Sequence, residues 1–379
     1  IRFAEESARV GDALRIMKTG FDFGAPFLQG LPALAEDLIK TPFGLVPVKL
    51  SLERGGVLGR QVKVAAIKKP WTKEYWQELP IASRWGKATV QHFKAFASKE
   101  SHNYYLAQNR EVIKEMVERG QVSLSGAASD YYTGMRNDAL IPSALRQAER
   151  AGPVGRVAAA VGKDVITRFE RSFNAFGDVI RTETWKAMRD TAAKNGDEGL
   201  AELGQFIRNS TGAFNSYSVG IPAAQQSIER GWLWFSPRYT RASLALIADA
   251  FQGGISGSQA RKAMASMLAV GAGMNYGISE ALGREPNLDP TKGNFMTIEI
   301  GGQNVGPGAF FVSFLRLHAK IVKKGFTEPG DLLDPNTRDN PIAGWLRGRS
   351  APGMGLAWDA AMRADFLGNK LETPGAWAK

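Results

Sequence analysis

Cysteine is absent from this 379-residue chain, which excludes disulfide staples, thiolate metal sites and thiol nucleophiles. Histidine is nearly absent: His92, His102 and His318 stand far apart or in unlike settings, leaving imidazole chemistry little to work with. No glycine-rich phosphate loop followed by Lys-Ser or Lys-Thr occurs, and no His-Glu-x-x-His, calcium loop or Gly-x-Ser-x-Gly elbow. The nearest approach is Gly253-Gly-Ile-Ser-Gly-Ser258, where Ser256 and Ser258 lack a neighbouring base in sequence and read as a helix terminator and cap. Glu111, Glu115, Glu118, Glu170, Glu183 and Glu280 sit among cations on what read as solvated helix faces, not in the two unlike environments that paired-carboxylate chemistry needs. The sequence therefore names no catalytic residue, metal ligand or cofactor, and we expect a non-enzymatic protein. There is no repeat at solenoid periods. No leader pattern precedes a chain that opens on Ile1, so it reads as a segment of something longer.

What is present is a folding composition. Apolar residues make up 44% and charged residues 22%, the globular range. The length suits two or three domains. Lys and Arg total 48 against 37 Asp and Glu, a surplus of +11 that favours polyanions such as nucleic acid or lipid heads. The surplus is uneven: residues 60–100 hold nine cations against Glu74, Glu78 and Glu100. Lys63, Lys68, Lys69, Lys73, Arg84, Lys87 and Lys94 are therefore the candidate polyanion contacts, a solvated surface without a partner being the plain alternative.

Helical periodicity dominates. A helix is expected over residues 1–20, and another after Ser83 with Trp85, Ala88, His92 and Phe96 on one side. Leu106, Asn109, Ile113, Met116 and Val117 form a face that ends at Gly120. The strongest pattern begins near Lys163 and runs to about Asn195, with Ile166, Phe169, Phe173, Phe176 and Ile180 at steps of three and four. That stripe reads as core, and a stacking platform for single strands is the sharper alternative. Shorter helices are expected over 200–208, after the Ser236-Pro237 cap, and over Ala309–Lys324. Residues 263–279 carry no charge and include Ala263, Gly273 and Gly277. They read first as a buried helix, with a membrane-entering helix as the alternative, since Gly273 and Gly277 allow close helix approach.

The alternation Met296, Ile298, Ile300 followed by Gly301-Gly302 predicts one small β-hairpin near 295–306. Between Phe23 and Val48, Pro26, Pro32, Pro42 and Pro47 break an apolar stretch. We read it as an extended connector whose Phe27, Leu31, Leu38 and Phe43 dock on another subunit. The expected class is mainly α: an irregular multi-helix assembly with long extended connectors. It divides into a basic part over 1–162 and a helical part with hairpin and Pro/Gly-rich tail over 163–379.

The segments Trp232-Leu-Trp-Phe-Ser-Pro-Arg-Tyr-Thr-Arg-Ala-Ser243, Phe295–Gly302 and Trp345-Leu-Arg-Gly-Arg-Ser-Ala-Pro-Gly-Met-Gly-Leu-Ala-Trp-Asp359, then Phe366-Leu-Gly-Asn369, follow in that order. Together they resemble a large polyvalent-protein-associated domain of tailed-phage giant virion proteins, over roughly residues 160–379. The resemblance implies an internal virion or ejection protein, located in the virion (capsid interior or portal region) and then in the host envelope or cytoplasm. Its implied partners are other copies of itself, other virion proteins such as portal or ejection proteins, DNA bound non-specifically, and the host membrane in transient contact. The function expected is a structural segment that self-associates or lines a conduit for DNA delivery; a non-specific nucleic-acid-binding escort is the alternative, and a hydrolase a third class. It transfers no catalytic residue.

Overall fold

The computed structural model describes residues 30–40, 48–53, 61–67, 83–124, 149–150, 152–214, 216, 219–229, 233–234, 236–300, 303–306, 310–333 and 340–364. Most of these are helical, in the order α1 (Leu31–Lys40), α2 (Arg84–Ala97), α3 (Lys99–Gln108), α4 (Arg110–Glu118), α5 (Pro153–Ala192), α6 (Gly196–Ser210), α7 (Ala223–Ile228), α8 (Pro237–Asp249), α9 (Gly254–Ala281), α10 (Phe310–Thr327), α11 (Pro341–Arg347) and α12 (Pro352–Met362). Beside them stand two short 3-10 helices, Ala193–Asn195 and Pro329–Leu332, and two antiparallel strand pairs: β1 (Val48–Glu53) with β2 (Gln61–Ile67), and β3 (Ile298–Ile300) with β4 (Gln303–Val305). The second pair is the hairpin expected from the 296–300 alternation; the first was not anticipated. The expected helix over 1–20 lies outside the described residues.

The long helix α5 organises the rest. Proline stands in its first turn, where a missing N–H is not needed, and the helix passes without a break through residues 162 and 163, where the sequence had suggested a domain boundary. Its apolar stripe is core, as the spacing required: Phe176 and Ile180 are fully buried and Phe169 nearly so. Phe173 is only half-buried. Against this stripe lies α2, which contributes Trp85 and Ala88, while α3 adds Tyr105. Further along, Trp185 and Met188 join Met116 of α4, Leu200, Leu203, Phe206 and Ile207 of α6, Leu246 of α8, and Ala260 and Ala263 of α9. The single helix expected from Leu106 to Val117 is split at Asn109 into α3 and α4; Ile113 and Met116 point inward while Val117 is 43% exposed.

One contact decides how closely α6 approaches the turn after α4. A Cβ on Gly204 would lie 1.9 Å from the Gly120 carbonyl oxygen, and a Cβ on Gly120 would lie 2.4 Å from the Trp185 ring. Only two glycines allow these backbones to meet.

The apolar stretch 23–48 departs from expectation. Residues 31–40 form α1, which packs on α9 and α2 within the same chain. Leu31 joins Ala35, Met267, Phe295, Met296 and Val312 in a third part of the core, so it is not free to dock on another subunit. The physical reason lies in where the prolines fall: Pro32 is in the first turn of α1, where the ring is tolerated, and Pro42 lies past its end. Phe27, Phe43 and the Leu38 side chain lie outside the described residues.

Candidate anion-binding site

Of the cations singled out from sequence, Lys68, Lys69, Lys73 and the Lys63 side chain lie outside the described residues. Arg84 is a correction. It is 6% exposed and bound inward: Nε donates to Asp37 Oδ1 at 2.9 Å, Nη2 donates to Glu36 Oε2 at 3.0 Å and to the Ala33 carbonyl at 3.2 Å. Burial lowers its pKa, but Asp37 and Glu36 together raise it above its ordinary value. Its charge is neutralised twice, so Arg84 ties α2 to α1 and is no contact for an outside polyanion. Lys87 donates to Glu183 at 2.8 Å. Lys94 is exposed near the end of α2.

The remaining named residues fall as follows. Ala263 is fully buried in the core, while Gly273 and Gly277 sit on the exposed side of α9, with nothing among the described residues within 4 Å of where a Cβ would stand. Among the described residues no helix is long and apolar enough to cross a membrane, and no group of three or more His, Asp or Glu is placed to hold a metal ion. Ser256 is buried and donates to Asp249 Oδ2 at 3.0 Å, and the same carboxylate accepts from Gln205 and Asn209 at 2.7 Å each. This is a polar tie between α6, α8 and α9. Glu115 accepts from Trp185 Nε1 and Arg189. Glu183 is buried but not solvated as expected: burial raises its pKa, yet Lys186 and Lys87 hold it below the ordinary value.

A site not foreseen lies between α10 and α11. α10 buries Phe310, Val312 and Leu317. It places Arg316, Lys320 and Lys323 at steps of four and three, on one face. Asn340 caps α11, its Oδ1 accepting from Ile342 N and Ala343 N at 2.8 and 3.1 Å. That sets Trp345 edge-on to Phe310 and Phe314, ring centroids 5.6 and 6.2 Å apart. Arg349, just beyond α11, lays its guanidinium 4.2 Å from the Trp345 ring centre and 4.6 Å from that of Phe310, and donates to Ser313 Oγ. Ser313, Arg316, Lys320, Lys323, Trp345 and Arg349 are among the residues that line a cleft of about 550 Å³.

Its lining is mainly cationic: Arg316, Lys320, Lys323, Lys324 and Arg349 face it with one carboxylate, Glu328, which is paired with Lys324. Burial lowers the pKa of Arg349 to about 10, with Tyr239 opposing. Burial also lowers that of Arg316, and burial together with Arg316 lowers that of Lys320. None of these three forms an ion pair with a described carboxylate, and Arg316 Nε is buried without a hydrogen-bond partner among the described residues. Lys324 differs, being held by Glu328 at 3.0 Å and by Asp331, which raise its pKa. Half-buried cations without counter-charge disfavour the folded state unless an anion joins them, and guanidinium groups match phosphate oxygens. The sequence signal was present in the Arg316, Lys320, Lys323 spacing, but lysines near a helix C-terminus read equally as partners of the helix dipole.

Two landmark segments of the phage-protein resemblance converge here: Tyr239 from 232–243 packs edge-on to Phe310 at 6.4 Å, and Trp345 and Arg349 come from 345–359. No family model matches the chain, and no curated protein or solved structure is detectably similar to it.

Proposed function

We propose that this chain is a non-enzymatic structural element of a tailed-phage virion that grips the phosphate backbone of nucleic acid without reading its sequence. The observation that supports the binding is the cleft itself, where Arg316, Lys320 and Arg349 line an open volume and none of the three is paired with a carboxylate among the described residues. The phage setting rests on the ordered sequence landmarks, and nucleic acid is the polyanion such a particle carries. The sequence carries no base-reading motif, so affinity should come from released counterions.

The test is binding as a function of salt. Replacing Arg316, Lys320 and Arg349 by Gln should flatten the dependence of log K on log salt by about 2 for a single strand, three charges at about 0.7 each. Lys94→Gln should change it less. A preference for one sequence that survives high salt would count against the reading.

Self-association is the second reading. At the start of α5, Val154, Val157 and Val161 are 83%, 64% and 58% exposed at steps of three and four, an apolar stripe open among the described residues. Sedimentation of the wild type and of Val154→Lys/Val157→Lys separates monomer from oligomer.

A further inference from the structure

Resting on the nucleic-acid reading, we infer that the cleft between α10 and α11 takes a single strand in preference to a duplex, with successive phosphates laid along Arg316, Lys320 and Lys323 and one reaching Arg349. The argument is one of access. Arg316, Lys320 and Arg349 are half-buried, whereas Lys323 is exposed at the rim. A duplex is stiff over about 150 base pairs and keeps its bases stacked inside, so it can touch the rim but cannot enter a cleft of about 550 Å³. That volume is in the range that encloses a drug-sized molecule, which suits a nucleotide unit of an unpaired strand that bends and splays its bases.

The ligand must also be longer than one phosphate. From Arg316 to Lys323 the helix rises about 10 Å at about 1.5 Å per residue, so its cations form a row and not a single point. Arg349 terminates that row from the opposite wall. Its guanidinium is already fixed between Phe310 and Trp345 and bonded to Ser313, so little side-chain freedom is lost when a phosphate arrives. Because Arg349 covers a face of Trp345, the ring serves to hold the guanidinium, and recognition falls on the backbone. Burial disfavours the charged forms of Arg316 and Lys320, and the attraction of an anion beside them offsets that cost.

The experiment uses the full chain and a labelled mixed-sequence oligonucleotide, measured by fluorescence anisotropy as a single strand and annealed to its complement, with inorganic tripolyphosphate as competitor. The single strand should bind on the order of tenfold tighter than the duplex at equal salt. Arg316→Gln and Arg349→Gln should each erase most of that preference, while Lys323→Gln weakens the two forms alike. Where either arginine variant loses its far-ultraviolet helical signal, Lys320→Gln, a half-exposed position, replaces it with the same expectation. Equal affinity for strand and duplex, both lost in Arg316→Gln, overturns the single-strand inference and leaves the backbone-binding reading standing. Tripolyphosphate bound as tightly as the strand also overturns the inference, because the site would then fit a short free polyphosphate. Binding of neither nucleic acid overturns both.

Discussion

Gly204→Ala isolates the close approach of α6 to the turn after α4. In an unconstrained helix this change stabilises by about 1 kcal/mol, since alanine is the better helix former. Here the new Cβ would sit 1.9 Å from the Gly120 carbonyl oxygen, against 3.4 Å for ordinary contact, a shortfall of 1.5 Å. The obstacle is backbone and cannot rotate away. Moving it displaces Gly120, which is itself wedged against Trp185, and so loosens the packing of Met116, Leu203 and Ile207 around that ring. Overpacking of this kind costs about 3 kcal/mol at the upper end of its usual range, leaving a net loss of about 2 kcal/mol after the propensity gain. Gly273→Ala is the matched control: it lies in α9 with nothing within 4 Å and should stabilise by about 0.5 to 1 kcal/mol. Urea unfolding followed by circular dichroism reads the two midpoints. Equal shifts, or a Gly204→Ala protein as stable as the wild type, would refute the claim that this glycine is required by contact.

Other positions give independent tests. Phe176→Ala should cost about 3 to 5 kcal/mol, and Phe173→Ala clearly less because that ring is half-buried; chemical denaturation ranks them. Arg84→Ala should cost about 3 to 5 kcal/mol by removing the cation that neutralises Glu36 and Asp37, yet leave nucleic-acid affinity unchanged in anisotropy, the reverse of Lys320→Gln. His92 Nδ1 donates to the Ser172 carbonyl at 3.0 Å, and burial depresses its pKa below the ordinary 6.5. Its neutral form is favoured by folding, so that stability is fully present above pH 6.5 and is lost as pH falls through the folded value. Unfolding midpoints across that window should decline, and His92→Gln should flatten the decline.

The legible parts of the fold were those where one pattern had one physical meaning. Phe169, Phe176 and Ile180 repeat at a helical period among charges, and only a buried face satisfies that. The 296–300 alternation next to Gly-Gly likewise leaves a hairpin as the simplest pairing. Prolines misled because their effect depends on position: Pro32 stands in the first turn of α1 and Pro42 follows its end, although the same residues would break its middle. Charge misled in a different way. The sequence shows that Arg84 lies in a cationic stretch but not that Glu36 and Asp37, 48 and 47 positions earlier, fold back onto it. The cleft failed to show for the converse reason. Its cations come from α10 and from beyond α11, and neither segment shows in sequence that no carboxylate pairs with them.

The length of α5 gives it a mechanical role. Forty residues span about 60 Å, and its first turns carry the exposed Val154 and Val157 while its middle is fully enclosed. That middle is keyed by polar groups as well as apolar ones. Asp178 lies 3.3 Å from His102 Nε2, Arg181 Nε donates to Thr211 at 3.1 Å, and Glu183 takes Lys87 and the Tyr105 hydroxyl at 2.8 and 3.1 Å. Greasy surfaces can slide past one another by a turn at modest cost, but a shift of about 5.4 Å here would pull all three groups off their mates at once while they remain shut away from water. A push or pull applied at Val154 would therefore be handed at Asp178, Arg181 and Glu183 to the neighbouring helices, as by a rod seated in a notched socket.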